Sequence, residues 1–354
     1  MLNLKKLQNR IQEGSVCLIE NEKNLRYFLE FDIDTGYLLV SNKNAYFITD
    51  FRYIETAQRN LNSSDVFVIL QDNLKEDIKN VLEKEVAQKL LVETKYQTVS
   101  KFEFFKKITE FLSNENTLDE IIANLRVIKN EYEISQIKKA QKITDDAFSH
   151  ILSFIKEGVS EKDLALEIEF FMRKSGAQGV SFDLITISGK NTSLPHGIPS
   201  DKLLQKGDFI TMDIGCKVNG YCSDMTRTVA LGQPSDEMKK VYNIVLQAQL
   251  KALETVKSGI AASSVDFAAR DLIDKNGFEN CFGHATGHGV GLDIHEEPRV
   301  STKSDTVLQS GMIITIEPGI YLQDKFGVRI EDMLMVTDDG YYNFTKSKKE
   351  LIIL

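Results

Sequence analysis

Four acidic residues of the chain form two pairs that occupy matched positions in the sequence. Asp213 and Asp224 lie in the stretch ITMDIGCKVNGYCSD, and Glu317 and Glu331 lie in the stretches TIEPG and GVRIED. Within each pair the separation allows a strand, a turn and a returning strand, so both carboxylates could face one cavity. Neighbouring carboxylates raise one another's pKa, and divalent cations would cancel that repulsion. The pattern therefore predicts a site for divalent metal ions.

Histidine is the second residue type of this predicted site. Three of the five histidines, His284, His288 and His295, fall in the glycine-rich stretch HATGHGVGLDIH, and His196 lies in SLPHGIP. Carboxylates with one imidazole suit Mn²⁺, Co²⁺, Fe²⁺ or Zn²⁺ better than a thiolate zinc site does. Two such ions could bridge a water and lower its pKa towards about 7, which creates hydroxide at neutral pH. His150, on a predicted long helix, is expected to be a structural residue.

The acidic pairs belong to an internal repeat. The tripeptide KEG at 156–158 is matched by KSG at 257–259, and each is followed 18 residues later by a glycine, Gly176 or Gly277. Further on, GDFITMDIG aligns with GMIITIEPG, so that Asp213 falls on Glu317. The repeat predicts two halves related by a pseudo-twofold axis, with their sheets meeting at the centre.

The first third of the chain alternates between strand and helix patterns. We expect a β-hairpin over 36–53, a helix from Ile54, strands at 65–70 and 89–94 with a helix between them, and a helix near 100–113. A charge-rich helical connector over 118–134 follows. These patterns predict two domains, 1–123 and 124–354.

The second domain is predicted to begin with two helices. Apolar residues at steps of three and four from Ile134 predict one long helix that ends at Gly158. Ser160 and Asp163 form a capping-box pattern that opens a second helix, which closes at Gly176.

Composition narrows the classes of function. The 354 residues carry a net charge of −9, and an acidic chain is a poor match for nucleic acid. No window approaches the ~20 apolar residues of a membrane span, so we expect a cytoplasmic protein. The four cysteines are too few and too irregularly spaced for a disulfide framework, and we expect free thiols.

The motifs together resemble the pita-bread metallopeptidases of family M24, in the Xaa-Pro peptidase branch that contains aminopeptidase P and prolidase. The resemblance covers nearly the whole chain, from NLRYFLEF and YFITDFRYIETA to MDIG, YCSDMTRT, GHGVGLDIHEEP, TIEPGIY and GVRIED. It implies an α/β (α+β) fold class, with a creatinase/prolidase-like α/β domain followed by a pseudo-twofold pita-bread catalytic domain.

The resemblance also implies roles for particular residues. The metal ligands would be Asp213, Asp224, His288, Glu317 and Glu331, with Asp224 and Glu331 bridging two ions. His196 and His295 would contact substrate and stabilise the tetrahedral intermediate. His284 and Arg329 would shape the site near the proline. Because Arg329 lies two residues before Glu331, it could instead hold a ligand carboxylate.

The implied reaction is hydrolysis of the bond between an N-terminal residue and a following proline, by an Xaa-Pro aminopeptidase or an Xaa-Pro dipeptidase. We expect a metal-bridging hydroxide to attack the carbonyl carbon, His295 to stabilise the oxyanion, and Glu317 to carry the proton to the leaving nitrogen. The cofactor would be two divalent ions per subunit, with Mn²⁺ as first choice and Co²⁺, Zn²⁺ or Fe²⁺ as alternatives. The partners would be peptides with proline second, and a second copy in a homodimer.

Two alternatives stay open at the level of sequence. A methionine aminopeptidase would resemble the same catalytic domain, but it normally lacks the creatinase-like first domain. A non-catalytic binding protein on this fold would be expected to lack metal ligands, and creatine-hydrolysing relatives work without metals. Because the chain has the full ligand set, the binding protein and the creatine-hydrolysing enzyme are both disfavoured.

Overall fold

The chain folds into two compact units, Met1–Arg126 and Val127–Leu354. The structure is a computed structural model that describes residues 1–62 and 64–354. In this part of the chain, no helix is long and apolar enough to cross a bilayer. The boundary expected between residues 123 and 124 falls within one helix, Thr117–Val127, and it stays a prediction.

The first unit contains a five-stranded mixed sheet. Its strands, with spatial order β4-β3-β2-β1-β5, are β1 Ser15–Ile19, β2 Tyr37–Val40, β3 Ala45–Thr49, β4 Val66–Leu70 and β5 Lys89–Val92. Its helices are α1 Leu2–Gln8, α2 Glu22–Leu29, α3 Ile54–Leu61, α4 Leu74–Lys84, α5 Val99–Lys106 and α6 Thr117–Val127. The predicted hairpin, the helix from Ile54 and the strands near 65–70 and 89–94 are confirmed.

Two predicted helical stretches in this region are shorter than expected. The helix near 100–113 ends at Lys106, because Leu90 of β5 exchanges backbone hydrogen bonds with Phe111 and Ser113 at 3.0 and 2.8 Å. The connector over 118–134 is broken after Val127, since Asn130 caps the next helix.

The first half of the second unit begins with α7 Glu131–Ile151 and α8 Glu161–Lys174. The predicted end of α7 at Gly158 is wrong, because the helix stops at Ile151. Beyond Ile151 the Ser153 and Phe154 N–H groups donate to the His150 and Ile151 carbonyls at 3.2 and 2.9 Å, in the tighter pattern that joins residues three apart. The capping box of α8 is confirmed, with Ser160 Oγ accepting from the Asp163 N–H at 3.1 Å.

The strands of the first half form two small sheets. The sheet β11-β8-β7 consists of β7 Ile185–Ser188, β8 Phe209–Ile214 and β11 Met225–Ala230, and a second sheet consists of β6 Gly179–Val180, β9 Cys216–Val218 and β10 Tyr221–Cys222. A 3₁₀ turn over Gly189–Ser193 follows β7.

The second half repeats this arrangement. It begins with α9 Asp236–Thr255 and α10 Ala262–Lys275, and its strands are β12 Gly287–Gly289, β13 Glu296–Val300, β14 Ile313–Ile316, β15 Gly319–Leu322, β16 Phe326–Arg329, β17 Asp332–Val336 and β18 Tyr341–Asn343. Gly176 after α8 and Gly277 after α10 both have positive φ, +103° and +84°, which glycine adopts without steric cost. The two helix ends are equivalent, as the repeat predicts.

The strand registers also confirm the repeat. In the first half β8 pairs antiparallel with β11, and Ile214 lies opposite Met225. In the second half β14 pairs antiparallel with β17, and Ile316 lies opposite Asp332. The halves meet where the Glu331 N–H donates to the Thr226 carbonyl at 3.1 Å.

Candidate metal centre

The first acidic pair is brought together by the β8–β11 ladder. Asp213 lies opposite Thr226 near the end of β8, and Asp224 immediately precedes β11. Between them Gly215 is required, because a Cβ there would clash with the Ser223 carbonyl oxygen. The predicted strand and returning strand are therefore present, with a second short hairpin inserted between them.

The second acidic pair has the same relation to the β14–β17 ladder. Glu317 follows β14 directly, and Glu331 directly precedes β17. Backbone hydrogen bonds fix both positions, from the Glu317 N–H to the Thr286 carbonyl at 2.7 Å and from the Glu331 N–H to Thr226 at 3.1 Å. Each half thus presents two carboxylates from the same end of an antiparallel strand pair.

His288 enters the site from the short strand β12. Its glycine neighbours are dictated by close packing, because a Cβ at Gly287 would clash with the Thr315 carbonyl and a Cβ at Gly289 with the Glu297 carbonyl. The His288 Nδ1 faces the Gly289 carbonyl at 3.1 Å, so Nδ1 carries the proton. The lone pair of Nε2 is then free for a metal ion.

The ligand atoms converge. His288 Nε2 lies 3.6 Å from Asp224 Oδ2 and 3.5 Å from Glu317 Oε1. One ligand atom each from Asp224, His288 and Glu331 lie within 4.8 Å of one another. The Asp213 charge helps to raise the pKa values of Asp224, Glu317 and Glu331, so Asp213 lies near them as well. The structure therefore brings together all five residues that the resemblance implied as ligands.

The carboxyl groups of this cluster raise one another's pKa values. Burial raises the pKa of Glu331 to about 8, with the Asp213 carboxylate as the next cause. Burial and the nearby Glu331 also raise the pKa values of Asp224 and Glu317 well above their ordinary range. Burial, followed by the neighbouring His295, lowers the pKa of His288 to about 4, so its ring is neutral at pH 7.

The donor set fits divalent cations. Asp213 Oδ1 is buried and has no hydrogen-bond partner within residues 1–62 and 64–354, whereas such oxygens are almost always paired in folded proteins. A cation would pair this oxygen and would restore the ionised state of the raised carboxyl groups. Carboxylate oxygens with one neutral imidazole are the ligand set that the sequence predicted for Mn²⁺ or a similar ion.

Arg329 and two residues that the sequence analysis did not identify hold the acidic cluster in place. The Thr226 hydroxyl donates to Glu331 Oε2 at 2.8 Å and accepts from Arg329 Nε at 3.1 Å. The Tyr321 hydroxyl accepts from Arg329 Nη1 at 2.8 Å. In the sequence, only the position of Thr226 in the motif YCSDMTRT and of Tyr321 in the motif TIEPGIY could have indicated these two residues.

His284 is linked to Arg329 through the Tyr321 hydroxyl. Its Nδ1 faces the Ala285 carbonyl at 2.8 Å and is therefore the protonated nitrogen, which leaves Nε2 to accept from the Tyr321 hydroxyl at 2.8 Å. Burial, with the Arg329 charge as the next cause, lowers the pKa of His284 to about 4. Both ring nitrogens are thus engaged within the protein, and the predicted contact of His284 with substrate stays untested.

The other two histidines lie at the open side of the cluster. The His295 ring packs edge-on against the His288 ring at a centroid distance of 4.4 Å. Burial lowers the pKa of His295, and the Asp213 charge acts in the opposite direction. The exposed His196 is close enough to influence the pKa values of both His284 and His295. His196, His284, His295 and Arg329 therefore surround the ligand residues, as the resemblance implied, although their roles stay predictions.

Two repeated halves that aim paired carboxylates and one imidazole at a common centre define a metal-dependent enzyme. The chain belongs to metallopeptidase family M24, whose family model matches residues 135–338. A second family model, the Creatinase/Prolidase N-terminal domain, matches residues 4–128. The expected fold, a creatinase-like domain followed by a pita-bread catalytic domain, is thereby confirmed, and the protein is a peptidase.

Relatives of known name are similar over the full length. The chain is 37% identical to an Xaa-Pro dipeptidase of Pyrococcus furiosus, over 99% of each chain. An Xaa-Pro dipeptidase structure from Bacillus anthracis superimposes with a TM-score of 0.94 at 42% identity, over 100% of this chain and 99% of that one. An X-Pro aminopeptidase structure from Thermotoga maritima superimposes with a TM-score of 0.92 at 34% identity, over 98% and 100%.

Proposed function

We propose that this protein hydrolyses the peptide bond between an N-terminal residue and a following proline. One observation carries the proposal, namely the convergence of four carboxylates, two of them buried, and the neutral imidazole of His288 in a chain similar along its whole length to Xaa-Pro dipeptidases. The Pyrococcus furiosus and Bacillus anthracis relatives bear the name Xaa-Pro dipeptidase. We therefore propose the free dipeptide as the preferred substrate.

Two divalent ions are the proposed cofactor, with Mn²⁺ as first choice. Asp213, Asp224, His288, Glu317 and Glu331 would hold them, and Asp224 and Glu331 would be shared between both ions. When bound, such ions supply a water of lowered pKa and polarise the scissile carbonyl. The unpaired Asp213 Oδ1 and the mutually raised pKa values of the carboxyl groups support this assignment.

The protein's own groups then act on the substrate. Glu317, whose Oε1 lies 3.5 Å from His288 Nε2, takes the proton of the nucleophile and delivers it to the leaving proline nitrogen. His295, whose lowered pKa keeps it neutral, donates its one N–H to the oxyanion as the carbonyl becomes tetrahedral. His196 contacts the substrate from the exposed side of the site, and Arg329 fixes the orientation of Asp213.

Rates on matched peptides test the substrate. With Mn²⁺ supplied, Ala-Pro should be cleaved faster than Ala-Pro-Gly-Phe, and Met-Ala should not be cleaved. The similarity to the Thermotoga maritima X-Pro aminopeptidase makes the longer peptide the second candidate, and faster cleavage of Ala-Pro-Gly-Phe would establish it. Cleavage of Met-Ala in the absence of Ala-Pro cleavage would contradict the proposal and favour a methionine aminopeptidase.

Metal content tests the cofactor independently of the substrate. Gently purified protein should contain divalent metal, and chelation should abolish turnover until Mn²⁺ is restored. Asp224→Asn should lose metal, whereas Glu93→Gln, at a buried carboxylate in the first unit, should not. A protein that neither binds Mn²⁺ or Co²⁺ nor gains activity from them would instead be a binding protein.

We also propose that the protein acts as a homodimer, a proposal that is supported only by the family resemblance. Sedimentation should then give about twice the 40.1 kDa mass of one chain. A sedimenting mass of one chain at working concentration would contradict it. The cytoplasmic location remains a prediction from the sequence.

A further inference from the structure

One buried carboxylate joins the two ends of the segment that carries His196. Glu161, the first residue of α8, is fully buried. Its Oε1 accepts from the Ser188 N–H at 2.7 Å and the Ser188 hydroxyl at 3.0 Å. Its Oε2 accepts from the Ser200 N–H at 3.1 Å and the Ser200 hydroxyl at 2.7 Å. The Asn191 amide donates to both oxygens at 3.0 and 3.3 Å, which completes the set.

The segment between these anchors is buried at its base and exposed at its tip. Ser188 and Thr192 are buried, whereas Leu194 is 56% exposed and Ile198 is 86% exposed. His196 is also exposed, and in the described part of the chain its ring has no hydrogen bond. Neither burial nor a hydrogen bond of its own therefore fixes the His196 ring, and its position depends on the backbone that carries it.

Other contacts hold the middle of the segment, and a second one joins its ends, as Lys202 Nζ donates to the Ser188 hydroxyl at 2.7 Å. The Gly327 N–H donates to the Thr192 hydroxyl at 2.8 Å, and Arg329 Nη1 donates to the Pro195 carbonyl at 3.2 Å. These bonds tie the segment to β16. Glu161 is the more extensive anchor, because among these groups it accepts from the backbone N–H groups at both ends of the segment, Ser188 and Ser200.

We propose that Glu161 is a positioning residue that holds His196 at the metal centre by fastening residues 188 and 200 to one carboxylate. The proposal rests on the proposed role of His196 as a group that contacts substrate. Glu161 itself is buried beneath the segment and acts only through it. A displacement of a reacting group by about 1 Å can cost on the order of 100-fold in rate, so loss of the anchor should appear in catalysis.

A double-mutant cycle tests this positioning role. Glu161→Gln keeps the shape of the side chain but removes the charge and turns an amide N–H towards donors. We expect kcat for Ala-Pro to fall roughly 10- to 100-fold, with metal content unchanged and KM changed much less. In a His196→Ala background the same substitution should change kcat little, because no ring remains to be positioned.

Glu93→Gln is the matched control. Glu93 is also fully buried and accepts the Glu20 and Asn21 backbone N–H groups at 2.7 and 2.9 Å, but it lies in the first unit. It should lose thermal stability without a change in kcat. If Glu161→Gln does not fold, Ser200→Ala removes one hydroxyl donor and keeps the backbone bond, and its smaller loss of kcat should likewise vanish beside His196→Ala.

Equal fold-losses from Glu161→Gln in the wild-type and His196→Ala backgrounds would overturn the proposal. Wild-type turnover by His196→Ala would overturn it as well. If the wild-type enzyme cleaves no Xaa-Pro peptide, the proposed function fails, and hydrogen exchange then decides the role of Glu161. Faster exchange of residues 189–200 in Glu161→Gln than in Glu93→Gln would support the anchor, and equal exchange would refute it.

Discussion

Arg329 Nη2 donates a hydrogen bond to Asp213 Oδ2 at 2.7 Å, while Oδ1 of the same carboxylate is buried and has no partner in the described structure. The remaining N–H groups of Arg329 are directed to Thr226, Pro195 and Tyr321. The guanidinium is therefore largely engaged within the protein. This geometry favours the reading in which Arg329 orients a ligand carboxylate over the reading in which it contacts substrate.

Replacement of Arg329 by lysine should weaken metal binding. Lysine keeps the charge but cannot form the planar fork that reaches Asp213, Thr226 and Tyr321 together. Loss of a partner that orients a metal ligand typically costs about 10- to 100-fold in metal affinity. Calorimetric titration of the metal-free enzyme with Mn²⁺ measures the change. Arg52→Lys, at an exposed pair with Asp50, is the control and should bind Mn²⁺ normally; equal affinities of both variants would refute the orienting role.

The stability of the metal-free enzyme should fall as the pH rises from about 7 to about 8, a range in which His284 and His288, with pKa values of about 4, are neutral in the fold and largely neutral in the unfolded chain. Glu331 has a pKa of about 8 in the fold against an ordinary value of 4.5, so in this range the unfolded chain has released a proton that the folded chain retains. Raising the pH therefore favours the unfolded state, by an amount on the order of 1 kcal/mol across this interval from Glu331 alone. Denaturant unfolding of chelated protein at several pH values measures it.

Mn²⁺ should reverse this behaviour, because a divalent ion binds the ionised carboxylates and releases their protons. Calorimetry in two buffers of different ionisation enthalpy should therefore detect proton release on binding at pH 6. Glu331→Gln cannot titrate and should show a flatter dependence of metal-free stability on pH. A chelated wild-type protein with constant stability from pH 7 to pH 8 would contradict the raised pKa values.

The parts of this architecture that the sequence could predict are those with a local or repeated signal. The capping box at Ser160, the glycines after α8 and α10, and the alignment of Asp213 with Glu317 all lie in short motifs. The hydrogen bond from Thr226 to Glu331 joins residues that are 105 positions apart, so no local sequence pattern predicts it. The burial of Glu161 is hidden for the same reason, since its partners Ser188, Asn191 and Ser200 lie 27 to 39 positions away, at the end of β7 and in the loop beyond it.

Local signals can also mislead. The apolar pattern of α7 continues past Ile151 to Ile155 and Val159, which are buried in the same core as the helix. The hydrophobic periodicity therefore did not mark where the helix ends. The Ser153 hydroxyl donates to the His150 carbonyl just after the helix end, but Ser135 and Ser149 make similar bonds within α7, so such a serine does not mark a helix end in a sequence.

Tyr321→Phe should lower kcat while metal is retained. The hydroxyl donates to His284 Nε2 and accepts from Arg329 Nη1, so its removal leaves a buried imidazole nitrogen without a donor. Such an unsatisfied group costs about 1–3 kcal/mol and would loosen the orientation of Arg329. Steady-state kinetics with metal analysis measure both effects. Tyr342→Phe, at an exposed ring on β18, is the matched control, and an equal kcat in the two variants would show that the Tyr321 hydroxyl is dispensable.

His295→Ala should reduce kcat by roughly 100-fold without loss of metal. The ring packs against the metal-ligand candidate His288 but is not part of the ligand cluster, so its removal should leave the ligand set intact. Loss of one donor to a developing oxyanion typically costs 100- to 1,000-fold in kcat. His150→Ala is the control, because that histidine pairs with Glu167 at 2.6 Å and stacks on Phe171 away from the ligand residues. If His295→Ala loses metal, the ring is needed to keep the ligands in place; if it turns over Ala-Pro as fast as His150→Ala does, His295 has no part in the reaction.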